Sequence, residues 1–391
     1  MNNAVLVSAC RTPLGSFLGT LSSITAPRLG AVAISDSIRR AGIDPSMVQE
    51  VIMGNVLSAG EGQAPARQAA LYAGLPESVE CLTVNKVCGS GLKAVMLAAQ
   101  AIRLGDADVI VAGGMESMSN VPFLLDRART GYRMGHGQLV DAMIRDGLWD
   151  VYNDYHMGNA AELCAKECAI PRAAQDEFAV TSYRRAQAAW EQGRFAEEIV
   201  PVSVKAKQGD ELVTKDEEPF KTNFDKIPAL KPAFQKDGTV TAANASKIND
   251  GAAALVVMSA GRAEQLGVRP IARIVDFASS AKKPEWFTTA PADVIVKTLD
   301  RAGMKLSDID LFEINEAFAV VTLAVNKILN LDPERVNVNG GAVALGHPIG
   351  ASGARILVTL LHALRQKSRK RGMAAICIGG GEAAGMIVEM I

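Results

Sequence analysis

Val109-Ile110-Val111-Ala112-Gly113-Gly114-Met115-Glu116 is an apolar run that ends in two glycines and an acidic residue, and a similar stretch recurs near the end of the chain. The second copy, Ala375-Ile376-Cys377-Ile378-Gly379-Gly380-Gly381-Glu382, is shifted by 266 residues, from 109 to 375. Two further matches keep the same order at nearly the same shift: Ala41-Gly42-Ile43 with Ala302-Gly303-Met304, and Thr25-Ala26-Pro27 with Thr289-Ala290-Pro291. The chain is therefore predicted to be a duplicated fold.

In each half of the chain, short apolar runs alternate with helical patterns. The predicted strands lie near 4–7, 51–57, 82–87, 109–112, 271–277, 311–314, 336–339 and 374–378, and the first half has helical patterns at 28–41, 65–73 and 89–104. Continuous apolar strands that alternate with helices indicate an α/β protein whose mixed, largely parallel sheets are covered on both faces.

Two helical patterns are apolar almost all round, which is typical of buried helices. Residues 89–104 carry a narrow polar stripe of Lys93, Gln100 and Arg103, and residues 351–364 carry one of Arg355, Thr359 and His362. If these equivalent helices pack against each other between the sheets of the two halves, the layers run α-β-α-β-α. Groups at the N-termini of both helices would then converge on one cleft.

A polar segment interrupts the repeat and predicts an inserted loop domain over that cleft, where a large ligand could be held. The predicted organisation is residues 1–117 for the N-terminal half, 118–250 for the insertion and 251–391 for the C-terminal half. Helical patterns within the insertion cover 139–147, 159–168 and 172–193.

Composition excludes several classes of function. A net charge of −1 over 391 residues gives no electrostatic reason to expect binding to nucleic acid or to an anionic membrane. We identify no stretch of 18 uncharged apolar residues and no basic leader before Val7, so a cytoplasmic protein without a membrane span is expected. The six cysteines have no disulfide or zinc spacing, and no metal is expected.

Cys88 follows a predicted strand and directly precedes a helix, in Val84-Asn85-Lys86-Val87-Cys88-Gly89-Ser90-Gly91. A helix N-terminus favours a thiolate, which is the nucleophilic form of cysteine. A buried structural cysteine is the alternative, but the strand-to-helix position favours a nucleophile. Cys377 lies near the end of a strand of the second half, before three glycines whose amides could bind an oxyanion, and the repeat is expected to bring this strand end towards Cys88.

His347, held between Gly346 and Pro348 at the start of a buried helix, is placed to accept a thiol proton or to polarise a thioester carbonyl. Asn315, at the end of a strand, could orient a water molecule or simply form a turn. His362 lies on a helix stripe and is expected to be structural, whereas His156 could line the cleft or lie on the surface. The glycine motifs lack the spacing of a dinucleotide fingerprint.

These motifs together resemble the thiolase family, of the acetyl-CoA C-acetyltransferase type, over essentially the whole chain. The matching stretches are Arg11-Thr12-Pro13, Asn85 to Gly91, Gly113 to Ser119, Asn244-Ala245-Ser246, Asn249 to Ala254, Asn315-Glu316-Ala317-Phe318, Gly346-His347-Pro348 and Cys377 to Gly381. The resemblance implies the thiolase fold, with duplicated βαβαβαββ halves in five layers. It also implies reversible condensation of two acetyl-CoA to acetoacetyl-CoA, or thiolysis of short-chain 3-ketoacyl-CoA.

The resemblance further implies a role for each matching residue. Cys88 would carry the acyl group after activation by His347, and Cys377 would be the acid and base at the α-carbon. One oxyanion hole would consist of His347 and a water molecule held by Asn315, and the other of the backbone N–H groups of Cys88 and Gly379. The implied substrate and coenzyme A contacts are His156, Met157, Phe234, Ser246, Ala317 and Phe318. Coenzyme A and acyl-CoA would be substrates, with no cofactor, and the assembly a homotetramer or dimer.

Three alternatives to this function stay open at this point. A β-ketoacyl synthase of the same fold would need a second histidine where Cys377 stands, and a Cys-His hydrolase would not need Cys377. A non-catalytic acyl-CoA binding protein that keeps the fold would need none of the reactive residues Cys88, His347, Cys377 and Asn315. Within the thiolases, the stretch Pro284 to Pro291 is similar to that of members that accept a 2-methyl-branched acyl group, and Phe220-Lys221 replaces an arginine near the coenzyme A phosphates.

Overall fold

The computed structural model describes residues 3–206 and 209–391. Its strands are β1 Ala4–Arg11, β2 Gly15–Ser16, β3 Glu50–Gly54, β4 Glu80–Val84, β5 Val109–Ser117, β6 Phe123–Leu124, β7 Val140–Asp141, β8 Trp149–Asp150, β9 Tyr155–His156, β10 Val202–Ala206, β11 Gly209–Val213, β12 Asn249–Ser259, β13 Ala272–Ala281, β14 Leu311–Ile314, β15 Arg371–Ile378 and β16 Glu382–Met390. Its α-helices are α1 Ala26–Ala41, α2 Pro65–Tyr72, α3 Ser90–Leu104, α4 Met157–Glu167, α5 Arg172–Glu191, α6 Ala260–Leu266, α7 Ala290–Ala302, α8 Ala319–Leu329, α9 Ala342–Leu345 and α10 Ile349–Gln366.

The duplication is visible in the order of the strands. The strands of the N-terminal half are ordered β4-β3-β5-β12-β1, and those of the C-terminal half are ordered β14-β15-β16-β13. The two orders match strand for strand from β3 and β14 onward, and the C-terminal half has no counterpart of β4. The two half-sheets meet where Val5 and Leu6 of β1 pair with Arg273 and Ala272 of β13. Within residues 3–206 and 209–391, the parallel pairs between named strands are β3 with β4, β3 with β5 and β14 with β15, and the other pairs are antiparallel, so the expectation of largely parallel sheets was wrong.

The layers follow the predicted α-β-α-β-α sequence. Helices α3 and α10 pack against each other and contact both half-sheets, while α1 and α2 cover the first half-sheet and α7 covers the second. Residues 87–104, which include Lys93 and Arg103, are by length and composition alone apolar enough to cross a membrane, with a mean hydropathy of 1.2 over 18 residues. In the fold this segment contains α3, whose Leu92, Val95 and Ile102 are fully buried.

The insertion divides the first half instead of following it. Strand β12 pairs with β1 along one side and with β5 along the other, so it belongs to the N-terminal half-sheet. The predicted boundary between residues 250 and 251 falls inside this strand. A sequence pattern cannot reveal this assignment, because an apolar strand looks the same whichever sheet it joins.

The strand predicted at 336–339 is replaced by a single bridge between Val336 and Phe312. Asn337 has a positive φ of 48°, and its side-chain amide bonds both backbone groups of Ile314, at 2.8 Å each. This amide takes the place of a neighbouring strand's backbone at the edge of β14. The missing fifth strand therefore has a local chemical cause.

Buried ion pairs attach the insertion to the first half. The Arg11 guanidinium, fully buried, donates to Glu198 at 2.5 Å and to both oxygens of Asp216 at 2.7 and 2.9 Å. Asp216 also accepts the backbone N–H of Leu14. A buried charge is tolerated only when it is paired and hydrogen-bonded, so these contacts fix the insertion over the edge of the sheet.

Candidate active site

The turn before α3 holds Cys88 in a strained backbone. Val87 has a φ of 45°, a left-handed conformation that is rare for a β-branched residue and costs about 1–3 kcal/mol. Three hydrogen bonds maintain it: the Val87 N–H donates to the Asn85 side chain, the Ser90 hydroxyl donates to the Val87 carbonyl, and the Lys86 N–H donates to the Ser90 hydroxyl. The chain therefore enters α3 at a fixed angle.

Burial makes the Cys88 thiol a weak acid. Cys88 is partly exposed, yet surrounding protein atoms raise the pKa of its thiol to about 11, mainly by desolvation. The nearby backbone N–H groups of Gly379 and Cys88 lower the pKa only in part. The expected stabilisation of a thiolate by the helix is thus outweighed, because water is excluded from the sulfur and two amides do not replace its solvation.

The glycine turn after β15 places the second amide. Gly381 has a φ of 88°, and a Cβ there would lie 2.4 Å from the Lys282 carbonyl oxygen, so only glycine fits. The Gly381 carbonyl in turn accepts the Lys282 N–H at 2.9 Å. This fixed turn holds Gly379 close to the turn that carries Cys88, since a Cβ on Gly379 would lie 3.5 Å from Cγ1 of Val87. Two backbone donors that meet at one sulfur can bind the oxyanion of an acyl group attached to it.

Cys377 lies beside Cys88 and is 1% exposed. Its thiol pKa is raised well above the usual value, first by desolvation and then by the negative charge that Cys88 would carry. Contact between the halves is close here, because a Cβ on Gly89 would lie 2.4 Å from Cδ1 of Ile378. The structure therefore brings the turn that carries Cys88 against the strand that carries Cys377, as the repeat predicts.

His347 is 5% exposed and is fixed through both its backbone and its ring. Its N–H donates to Oδ1 of Asn249 and to the Lys247 carbonyl, both at 3.1 Å, and its Nδ1 lies 2.5 Å from Oγ of Ser352. Burial, with a smaller effect of the Arg355 charge, lowers the imidazole pKa to about 3. The ring is therefore neutral at rest, and its buried Nε2 has no partner within residues 3–206 and 209–391.

Asn315 follows β14 and is 1% exposed. Its N–H donates to the Ala375 carbonyl at 2.9 Å, while neither atom of its side-chain amide has a hydrogen-bond partner of normal geometry in the described chain. The amide lies near enough to Cys377 to lower the thiol pKa slightly. A buried amide with free bonding capacity suits the water-holding role that the resemblance implies.

Four of the predicted acyl-CoA contacts pack together in an apolar cluster that includes Cys377. The rings of His156 and Phe234 stack at 4.7 Å between centroids, and Phe234 meets Phe318 edge-to-face at 6.1 Å. Met157 and Phe318 are buried in the same apolar cluster as Cys377, while His156 and Phe234 are partly exposed. The apolar cluster therefore extends from partly exposed residues to the buried Cys377.

Ser246 is partly exposed and is bonded to Ala317, a buried member of this apolar cluster. Its N–H donates to the carbonyl of Ala317 at 2.9 Å, which leaves its hydroxyl free to meet an extended ligand. Lys221, by contrast, is engaged with Ser16 at 2.8 Å and with Glu217 at 2.5 Å. Because Lys221 is bonded to these two side chains, it does not take the place of the arginine that the resemblance leads one to expect near the coenzyme A phosphates.

Sequence reasoning missed two residues that position His347. Asn249 holds its backbone and Ser352 holds its ring, although only Asn249 belonged to a matching motif. His362, predicted to be structural, is buried with Nε2 3.2 Å from the Ala9 carbonyl. His136 is exposed and far along the chain from any of these groups.

A large surface cleft lies elsewhere, between α1, α2 and β10, with a volume of about 1000 Å³. It is lined by Arg28, Tyr72 and Lys205 among others and contains no cysteine or histidine. No group of three or more metal-ligating side chains occurs within residues 3–206 and 209–391. The chemistry of the site, and not the size of a cavity, identifies it.

The chain belongs to the thiolase family. The family's N-terminal domain matches residues 4–261 and its C-terminal domain matches residues 268–390. The first match ends after β12, in agreement with the pairing of that strand.

Relatives and solved structures cover nearly the full chain. It is 56% identical to acetyl-CoA acetyltransferase 2 of Arabidopsis thaliana, over 99% of this chain and 96% of that protein. It is 55% identical to acetyl-CoA acetyltransferase of Cupriavidus necator, over 100% of both chains. The crystal structure of the Bacillus anthracis acetyl-CoA acetyltransferase superposes with a TM-score of 0.98 at 42% identity, covering 100% of this chain and 99% of that one. The Acat5 thiolase of Ascaris suum, in complex with coenzyme A, gives 0.95 at 47% identity, with 100% of each chain covered.

Proposed function

We propose that this protein is an acetyl-CoA C-acetyltransferase, which condenses two acetyl-CoA to acetoacetyl-CoA and coenzyme A and runs the reverse thiolysis. The observation that carries the proposal is the close approach of the two halves at Cys88, where a Cβ on the next residue, Gly89, would lie 2.4 Å from Ile378, the neighbour of the buried Cys377. The names of the relatives agree with this activity. Condensation needs an acylated nucleophile next to a base and two oxyanion sites, and these residues can supply all of them.

In the first half-reaction, the Cys88 proton moves to Nε2 of His347 as the sulfur adds to the thioester carbonyl. The backbone N–H groups of Cys88 and Gly379 stabilise the oxyanion. Coenzyme A leaves as a thiolate and takes the proton of Cys377. The products are acetyl-Cys88, free coenzyme A, a Cys377 thiolate and an imidazolium at His347.

In the second half-reaction, the Cys377 thiolate removes an α-proton from a second acetyl-CoA. The enolate oxygen accepts hydrogen bonds from Nε2–H of His347 and from a water molecule held by Asn315. The carbanion attacks acetyl-Cys88, and the new oxyanion binds at the amides of Cys88 and Gly379. Cys88 then leaves as a thiolate and recovers its proton from Nε2, which restores the resting enzyme.

The activity is tested with acetoacetyl-CoA and coenzyme A as substrates and mass spectrometry of acetyl-CoA as the readout. We expect Cys88→Ser to lower the rate by at least about a hundredfold and to abolish acetylation of the peptide that contains residue 88. Cys168→Ser, at a partly exposed thiol outside the site, is the matched control and should retain activity. A near-wild-type rate in Cys88→Ser would disprove the proposal.

The same assay separates the alternatives. A Cys-His hydrolase would release acetate from acetyl-CoA and keep that rate in Cys377→Ala, whereas a binding protein would show no turnover. A β-ketoacyl synthase is disfavoured because a buried thiol, and not a second imidazole, stands beside Cys88.

We propose that acyl-chain preference is set where Phe287 packs within the apolar cluster. Phe287 is 3% exposed, and its ring meets Phe318 at 6.4 Å. It follows the short 3-10 helix Pro284–Trp286, in the stretch that is similar to thiolases that accept a 2-methyl branch. We propose short-chain substrates, and a series that includes 2-methylacetoacetyl-CoA tests whether the branch is accepted.

We propose that the protein assembles as a homotetramer. Exposed apolar side chains support this: Phe123, Leu125, Tyr132, Met134 and Leu139 in the insertion. The edge strand β4, with Leu82 44% exposed, is a further surface that could pair with a second copy. Light scattering after gel filtration measures the mass directly, and a monomer would contradict the proposal.

The cytoplasmic location and the absence of a cofactor stay predictions. Among the relatives, the Bos taurus acetyl-CoA acetyltransferase, 54% identical, is named as mitochondrial. Cell fractionation would test the location. Activity of the purified protein after exhaustive dialysis against a chelator would test whether the reaction proceeds without a cofactor.

A further inference from the structure

Ser352 lies in the first turn of α10 and is fully buried. Its Oγ has two polar neighbours: the Pro348 carbonyl oxygen at 2.9 Å and Nδ1 of His347 at 2.5 Å. The Pro348 carbonyl also accepts the backbone N–H groups of Ala351 and Ser352, at 2.9 Å each, which close the first turn of the helix. The Ser352 hydroxyl adds a side-chain bond to this carbonyl and joins the helix to the imidazole. This hydroxyl is the polar group that determines what the inner nitrogen of the ring can do.

The hydrogens of these three groups can be assigned by counting donors. The Pro348 carbonyl has no hydrogen and can only accept, so the single hydroxyl hydrogen of Ser352 goes to it. Oγ can then only accept toward the ring, which requires that Nδ1 of His347 carry a hydrogen. The opposite arrangement would place the lone pairs of Oγ and of the carbonyl face to face at 2.9 Å without a hydrogen between them.

A neutral imidazole with its hydrogen on Nδ1 has a free lone pair on Nε2. Burial and the Arg355 charge keep the ring from taking a second proton at rest. Nε2 is buried and has no hydrogen-bond partner in the part of the chain that is described. It is therefore the one basic atom that the ring can offer to a proton donor in the site.

We propose that Ser352 is the positioning residue that keeps the hydrogen of His347 on Nδ1, so that Nε2 can accept the Cys88 proton. The role rests on the proposed reaction, in which Nε2 gains and returns that proton. Nδ1–H stays bonded to Ser352 throughout the cycle, and only Nε2 changes its protonation. When Nε2 holds the proton, it can donate to the enolate oxygen, while Ser352 continues to accept from the imidazolium.

Nitrogen-15 NMR of the resting wild-type enzyme tests the assignment without any substrate, because protonated and unprotonated ring nitrogens have separate shifts. The His347 signals are identified by their loss in His347→Asn. We expect a protonated Nδ1 and an unprotonated Nε2 at neutral pH. A protonated Nε2 beside an unprotonated Nδ1 would overturn the inference, and it would leave the proposed overall reaction untouched.

Variants at the same position test the consequence for catalysis. In Ser352→Ala the ring loses its acceptor, and we expect the Nε2–H tautomer to gain population and the acetylation rate of Cys88 to fall at least about tenfold, mainly in kcat. Ser352→Thr keeps a hydroxyl that can bond the same carbonyl and should restore the wild-type tautomer and most of the rate. An alanine variant with unchanged ring shifts and unchanged rate would refute the proposal.

A matched control removes another buried hydroxyl from the same helix. Thr359, two turns from Ser352, donates to Glu198 at 3.2 Å and does not touch His347. Thr359→Val should lose some stability but keep the His347 shifts and the rate of Cys88 acetylation. If Thr359→Val shifted the tautomer as much as Ser352→Ala, the effect would belong to the helix and not to the Ser352 contact.

Discussion

Raising the pH from 7 to 9 should increase the alkylation rate of Cys88 about a hundredfold, because the thiolate is the reactive form and the thiol pKa lies above this range. Transfer of the Cys88 proton to His347 at rest spans about 8 units, from a thiol pKa of about 11 to an imidazole pKa of about 3, or about 11 kcal/mol. Attraction between the resulting charges returns only about 4 kcal/mol at contact distance. The resting pair is therefore neutral.

The assay is alkylation with iodoacetamide at a series of pH values, followed by mass spectrometry of the peptide that contains residue 88. Each pH unit should raise the rate about tenfold without a plateau below pH 9, since the thiolate fraction grows tenfold per unit below the pKa. His347→Asn is the informative control and should change the profile little, because no imidazolium is present to lose. A rate that is constant from pH 6 to 9, or that falls steeply in His347→Asn, would refute the neutral resting state.

Three other predictions concern the base, a glycine and a buried charge. Cys377→Ser should still form acetyl-Cys88 but should slow condensation by about 10²–10⁴-fold, measured as acetyl-peptide that accumulates without acetoacetyl-CoA; normal turnover would argue against its role as base. Gly346→Ala should lower both stability and kcat, because a Cβ there would lie 2.2 Å from the Asn249 side chain, whereas Gly303→Ala, which has open space, should keep full activity. Arg11→Met should cost about 3–5 kcal/mol in urea unfolding at pH 7 by leaving two carboxylates buried and unpaired, and a loss below about 1 kcal/mol would contradict this.

The duplicated fold and the meeting of the reactive residues were within reach of the sequence because both depend on local signals. A run such as Val109 to Glu116 predicts a strand that ends in glycines, and its repetition around Cys377 predicts a second such strand at the equivalent position of the other half. Once equivalent helices are expected to pack together, Cys88 and His347 must lie near each other. No long-range contact had to be known in advance.

The pairing of β12 and the polar stripes were out of reach because they depend on what lies opposite. Arg355, Thr359 and His362 look like an exposed stripe, yet all three are buried and face charged or backbone partners from other elements. Arg355 lies 3.7 Å from the buried Glu313 of β14. A helix pattern reports that polar residues share a face, but it cannot report whether that face meets water or another layer.

The thiol of one half and the imidazole of the other can act together because backbone groups near both helix starts are joined across the halves. Glu116, at the end of β5, accepts the N–H of Gly350 at 2.8 Å, and Asn249 of β12 accepts that of His347. Small residues allow this approach, since a Cβ on Gly114 would lie 2.1 Å from the Gly350 carbonyl oxygen. A larger residue at that position would separate α10 from the first half. The same close packing excludes water from the sulfurs and the ring, which raises the thiol pKa values and lowers that of the imidazole, so proximity and weak acidity have one structural cause.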